Sequence, residues 1–380
     1  MKNILISGAS IAGPALAYWL THHGFSVTVV ERAPTVRDGG QALDFRGPAH
    51  LGVLEKMGIL DEIRAHQTGG GRVSIVDADG RQISSLPSEI MSGDVEIHRG
   101  DLAKLMYEAT KDSTEYLFND SISTLEETAT GVEVTLENGG ARTFDLVIGA
   151  DGLHSNVRKL TFGDEKQFRH DLGFYVAIYS LASPVPNAMY SVPGRTASVF
   201  GNKGVFYFAS DPIDYDYRDV EQQREILAEV FEGVDGWQVP ELMRQMWLAP
   251  DFYFDSVSQI RMDTFHKGRV ALIGDAGYGA SLGGMGTGLS VVGAYVLAGE
   301  LARADGDHET AFARHDEIMK PYVRACQKMG EGGVDFLAPA TKGKLRMRNL
   351  MWKSLPYLPW KGMFSKMGLK AATAVELSDY

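Results

Sequence analysis

The chain is poor in cysteine: Cys326 is the single one in 380 residues. That excludes an internal disulfide framework and a cysteine-based zinc site, and it suits a reducing, cytoplasmic setting. Long hydrophobic runs are also missing, since no stretch approaches the roughly 18 uninterrupted apolar residues that a membrane span needs. Positive charge is in deficit, with a net charge of −12. The general attraction that dominates nucleic-acid binding is therefore absent, and nucleic acid is not an expected partner. There is no H-E-x-x-H, no Ser-His-Asp order and no cluster of histidines and carboxylates at metal-ligand spacing, so no metal is expected. Met1 and Lys2 run straight into the apolar segment Asn3 to Ser7 with no small-residue cleavage site behind it, which reads as fold rather than address. No internal repeat or low-complexity segment is visible.

What is present points to an α/β protein. At roughly 100 to 200 residues per domain, this length favours two joined domains with a deep cleft between them. Asn3 to Ser7 reads as a short buried strand, Pro14 to His23 as a helix and Ser26 to Glu31 as a valine-rich second strand, a βαβ opening. Strands follow at Val73 to Asp77, Gln82 to Leu86, Val132 to Leu136 and Thr143 to Val147, with helices at Ala49 to Leu60 and Asp101 to Ala109. From Phe174 to Ser210 the texture becomes strand-like runs interrupted by Pro184, Pro186, Pro193 and Gly194, which predicts an antiparallel sheet. A helix at Val220 to Phe231, a strand at Phe252 to Arg261 and a buried strand at Arg269 to Ile273 come next. The middle segment is thus inserted into a discontinuous first domain.

Gly8-Ala9-Ser10-Ile11-Ala12-Gly13 lies between the first strand and first helix, where a dinucleotide fingerprint belongs. Gly8 permits the tight turn, Gly13 lets helix and strand pack closely, and the helix N-terminus offers N–H groups and a positive dipole end to a pyrophosphate. Ser10 replaces the middle glycine. Glu31, about 20 residues on, can accept hydrogen bonds from a ribose 2′-OH and disfavours a 2′-phosphate. These elements fit FAD or NAD and do not choose between them.

The segment Asp145 to Arg158, with Asp151-Gly152-Leu-His154-Ser155 at its centre, resembles the second glycine-aspartate motif of flavoprotein aromatic hydroxylases. Gly268 to Ala276, containing Gly274-Asp275, followed by Gly284-Met285-Gly286-Thr287, resembles that family's second FAD-binding element. Together with the opening fingerprint, these blocks resemble the class A flavoprotein monooxygenases over residues 1 to about 300. The resemblance implies a glutathione-reductase-type FAD-binding domain over 1–72, 95–170 and 262–325. It implies an inserted substrate-binding β-sheet domain over 73–94 and 171–261, and a C-terminal helical lid over 326–380. It places Ser10, Ile11, Ala12, Arg32, Asp151 and Arg99 at FAD, and Gln41 with Arg37, Asp44 and Arg46 near the flavin or the entering nicotinamide. Asp275 would hold the ribityl chain, and Gly284, Met285, Gly286 and Thr287 would lie near the pyrimidine edge.

The implied reaction reduces FAD with transient NADPH or NADH and uses O2, through a flavin C4a-hydroperoxide, to hydroxylate an aromatic or polycyclic small molecule. The flavin does the chemistry, and Arg46 is the one side chain considered for a catalytic role. Phe174, Tyr175, Tyr179, Phe206, Tyr207, Phe208 and Phe254 are candidate wall material for such a substrate. Tyr278 and Leu282 stand where the family commonly has histidine and proline. Tyr278 and the Ala371 to Leu377 tail resemble the branch holding tetracycline-inactivating and polyketide-tailoring monooxygenases. The basic stretch Lys342 to Lys370, with Trp352, Tyr357, Trp360 and Phe364, reads either as amphipathic helices on an anionic membrane or, by resemblance, as the lid. A monomer or weak homodimer is expected. A flavin halogenase, a flavin dehydrogenase or reductase, and a non-catalytic flavin-bound ligand-sequestering protein are the alternatives.

Overall fold

The computed structural model describes residues 2–37, 39–68, 73–86, 93–281, 285–354 and 370–380. A six-stranded sheet runs in the order His266–Lys267, Val270–Leu272, Leu146–Gly149, Asn3–Ser7, Ser26–Glu31 and Glu115–Phe118. All its neighbouring pairs are parallel except the first, a hairpin. Parallel strands buried on both faces read as continuous apolar runs, and Ile4, Leu5 and Ile6 are fully buried. On one face lie the helices Ala12–His22, Gly286–Arg303 and His308–Gly330, which enclose the largest core. On the other lies the three-stranded meander Ile122–Glu127, Val132–Leu136 and Gly140–Phe144.

A second, seven-stranded sheet follows the order Phe252–Ile260, Arg169–Ser180, Lys203–Ala209, Arg195–Phe200, Ala188–Val192, Val73–Val76 and Gln82–Leu86. The early pair at residues 73–86 thus joins strands contributed more than a hundred positions later. Its junction with Ala188–Val192 is parallel, the other pairs antiparallel. Helices Val220–Val230 and Val239–Leu248 cover one face.

The expected helix Ala49 to Leu60 is two helices, Gly47–Lys56 and Leu60–Ala65, parted where Gly58 takes φ +73°. The expected strand Thr143 to Val147 is divided between Gly140–Phe144 and Leu146–Gly149, which belong to different sheets. Helix Lys342–Ser354 lays Trp352 against Val73, Ile75, Leu86 and Met189. No helix among the described residues is long and apolar enough to cross a membrane.

Candidate dinucleotide and substrate site

The C-terminal ends of the parallel strands gather the motif loops. At Gly8 the chain takes φ +107°, and a Cβ there would lie 2.5 Å from the Ala150 carbonyl oxygen. One on Gly13 would lie 1.9 Å from the Gly8 carbonyl oxygen. Only glycine lets the loop fold this tightly against the neighbouring strand. Helix Ala12–His22 begins behind buried Ile11 with no side-chain cap and no acid in its first turn. Its free N–H groups and dipole end suit an anion.

Glu31 ends its strand with its carboxylate almost buried. Oε2 accepts the Ala9 N–H at 2.8 Å, and Oε1 accepts the Ala33 N–H at 2.9 Å and the Arg37 guanidinium at 3.2 Å. Arg99 donates to Ser10 Oγ at 3.0 Å, and its backbone N–H donates to the Gln41 carbonyl at 3.1 Å. Burial and the neighbouring Arg37 hold the Arg99 guanidinium below its usual range, yet an arginine there remains a cation. Arg46 donates to Asp44 at 2.5 Å, while Arg32 is exposed.

His50, which the sequence reading did not single out, organises that corner. Its Nδ1 accepts the Arg46 N–H at 3.1 Å and its Nε2 meets the Tyr322 hydroxyl at 2.5 Å. Burial pushes the imidazole down to about 4, so it is a neutral fixture. With Nδ1 accepting, the proton sits on Nε2 and donates to Tyr322.

Asp275 opens a short helix after Gly274, with Oδ1 3.5 Å from where a Cβ on Gly286 would stand. The side chain is open to solvent, yet the protein around it desolvates the carboxyl and raises its pKa. A group with both properties lines a concavity rather than a convex surface. Met285, at φ +57°, and Gly286 start the 18-residue helix Gly286–Arg303, again with no side-chain cap, and Thr287 lies in its first turn. Gly284 and Leu282 lie outside the described residues.

One expected site residue takes a structural part, and one expectation changes. The carboxylate of Asp151 is engaged by its own loop, accepting Ser155 Oγ at 2.5 Å and the N–H groups of Asn156 and Val157 at 2.8 and 3.1 Å. It shapes the loop that follows the Leu146–Gly149 strand. The substrate row Tyr175, Tyr179, Phe206, Phe208 and Phe254 is at most 4% exposed and packs beneath the two covering helices. These residues are core; strand alternation puts Val176, Ile178, Val205 and Tyr207 on the opposite face. Of the row's two further members, Phe174 lies with that face.

Tyr278 turns away from the slot: it is fully buried, meets Phe265 at 4.8 Å, and its hydroxyl stands 2.0 Å from where a Cβ on Gly293 would be. Fully buried Arg158 joins two motifs, donating to the carbonyls of Ala276 at 2.8 Å and Leu153 at 2.6 Å and to Glu165 at 2.9 Å. Its place in the Asp151 motif was the signal that marked it.

The uncapped helix, the glycine cradle, the Glu31 carboxylate and the Arg99 tether all fit FAD. The match to the family model described as FAD binding domain covers residues 1–180. A flavin-dependent monooxygenase from an unknown prokaryotic organism is 40% identical over 345 residues, spanning 87% of this chain and 88% of the relative. The crystal structure of tetracycline destructase Tet(51) superposes with a TM-score of 0.84 at 32% identity, covering 100% of both chains. That of Tet(55) gives 0.83 at 36% identity, over 100% of this chain and 99% of the other. The chain belongs to the FAD-dependent flavoprotein monooxygenases.

Proposed function

We propose that this monooxygenase hydroxylates an aromatic or polycyclic small molecule of polyketide or tetracycline-like shape, drawing electrons from NADPH or NADH and oxygen from O2. The observation that carries the reading is the full-length likeness to two tetracycline destructases at 32% and 36% identity. Bound FAD supplies the oxygen-activating chemistry. The chain's own task is to hold a flat substrate against it and keep water out.

Both faces of the seven-stranded sheet are buried, and we assign to substrate the one made by Val176, Ile178, Val205 and Tyr207, because Val334 and Leu337 of the C-terminal segment cover it rather than the sheet's own two helices. The cofactor assignments of Ser10, Glu31, Arg99, Asp275 and Gly286 rest on the geometry above. The domain partition supported by the two large sheets is FAD-binding over 1–72, 95–170 and 262–325, substrate-binding over 73–94 and 171–261, and a lid over 326–380. The lone, buried Cys326 suits action in the reducing cytoplasm, as a monomer or weak homodimer.

The test is oxidation of NADPH and NADH by the FAD-loaded protein, with and without a panel of polycyclic phenols that includes a tetracycline, while product mass is followed. Stimulated oxidation with a gain of one oxygen atom is the expected result. Bound flavin that no nicotinamide reduces under any condition sinks the reading.

A further inference from the structure

Tyr253 lies in the edge strand Phe252–Ile260. Its neighbours Phe252 and Phe254 turn toward the helix-covered core, so by strand alternation Tyr253 points the other way, in register with Ile178. Half its surface, 50%, is exposed. Burial nevertheless raises its phenol well above the usual range, helped by the charges of Asp255 and Asp275 and by Tyr215. As with Asp275, exposure together with desolvation marks the wall of a concavity.

The groups whose charge or dipole acts on Tyr253 come from the sides of both large sheets. Asp255 and Tyr215 belong to its own sheet and the loop beside it. Asp275 starts the short helix after Gly274, and Arg99, which feels Tyr253 in turn, is tethered to Ser10 in the phosphate loop. Just before the strand, Asp251 lies 3.4 Å from where a Cβ on Gly39 would be, so this end of the sheet rests on the chain that follows Glu31. The neighbouring Gly40 packs on Arg99, whose Nε lies 2.7 Å from where a Cβ would be, so the start of Tyr253's strand sits against the segment that carries the Arg99 tether, beside the middle of an extended dinucleotide.

We propose that Tyr253 is a further cofactor-binding residue: a neutral phenol donor, contributed by the seven-stranded sheet, that closes the FAD slot between Arg99 and Asp275 and donates to the polyol and phosphate linker. The hydroxyl now donates to Asp255 Oδ2 at 3.4 Å, the long end of the hydrogen-bond range, and exchanges readily for a better-placed oxygen. The proposal rests on FAD occupying this slot.

The test compares the FAD dissociation constants of wild-type, Tyr253→Phe and Tyr215→Phe holoenzymes, with urea midpoints as a check on folding. Tyr215 donates to the other Asp255 oxygen at 3.2 Å, so its variant reports any effect that travels through Asp255. Tyr253→Phe is expected to bind FAD about tenfold more weakly, the loss of one hydrogen bond, while Tyr215→Phe matches wild type. Unchanged affinity in Tyr253→Phe, or an equal loss in Tyr215→Phe, overturns the assignment. A wild-type protein that binds no FAD overturns the reading of the slot itself, a result distinct from either.

Discussion

His154 is clamped between two carboxylates: its Nδ1 meets Glu165 at 3.0 Å and its Nε2 meets Asp255 at 3.0 Å. Arg158 and Arg169 pair with the same Glu165, and the Tyr217 ring stacks on the imidazole at 4.6 Å. Burial pushes the imidazole down, but the hydrogen bonds to Asp255 and Glu165 outweigh it and hold the pKa up to about 9, against an ordinary 6.5. At about 1.4 kcal/mol per tenfold, the difference is worth about 3 kcal/mol. The 22% of the side chain left in water trims this toward about 2 kcal/mol.

A pKa raised by folding stabilises the folded state fully below 6.5, progressively less as pH rises toward 9, and not at all above it. His154→Gln keeps an amide donor but carries no charge. In urea unfolding of the FAD-loaded protein, wild type should therefore exceed the variant by about 2 to 3 kcal/mol near about pH 6, and the gap should close by about pH 10. A gap of constant size across that range refutes the charge argument and leaves only lost packing.

Gly13→Ser should abolish flavin retention, because its Cβ has no room beside the Gly8 carbonyl; a purified variant with wild-type flavin absorbance contradicts this. Glu31→Gln should weaken FAD binding about tenfold, since an uncharged amide is a poorer partner for the donors around it. Titration to a wild-type dissociation constant contradicts that. Phe206→Ala, which empties a fully buried site against Phe231 at 4.8 Å, should cost about 3 to 5 kcal/mol in urea unfolding without raising the substrate KM. A raised KM at unchanged stability returns Phe206 to the substrate wall.

The nucleotide-binding half was legible because its signals are local. Asn3–Ser7 and Ser26–Glu31 are apolar runs ended by a motif or an acid, and they form strands with those same boundaries. The loops at Gly8, Gly274 and Gly286 are dictated by residues a few positions apart. The early hairpin at 73–86 and the buried strand Val270–Leu272 were equally readable from apolar runs between turns. Helix Val239–Leu248 went unread: it has a proline in its first turn, and its buried face is only Val239, Leu242 and Met246 with the polar Gln245 among them. Strand Ala188–Val192 is five residues between prolines, too short for alternation to declare itself.

The burial of the expected substrate row has a different cause, and it bears on how such sites should be sought. Alternation divides a strand into two faces but does not say which one meets the cleft. Usually polarity breaks the tie. Along Phe174 to Tyr179 every residue is buried, because helices cover one face and Phe200, Val334 and Leu337 pack on the other. Aromatic content then pointed to the face whose larger rings fill the core beneath the helices. Polarity does reappear in the edge strand: in Phe252-Tyr253-Phe254-Asp255 the two polar residues share one parity, and Asp255 on it binds His154 of the Asp151 motif at 3.0 Å. In a sheet buried on both sides, an isolated hydroxyl or carboxylate is therefore a better guide to the cleft than a row of rings, because the core cannot accept it unpaired and only a polar ligand or the opposite domain can.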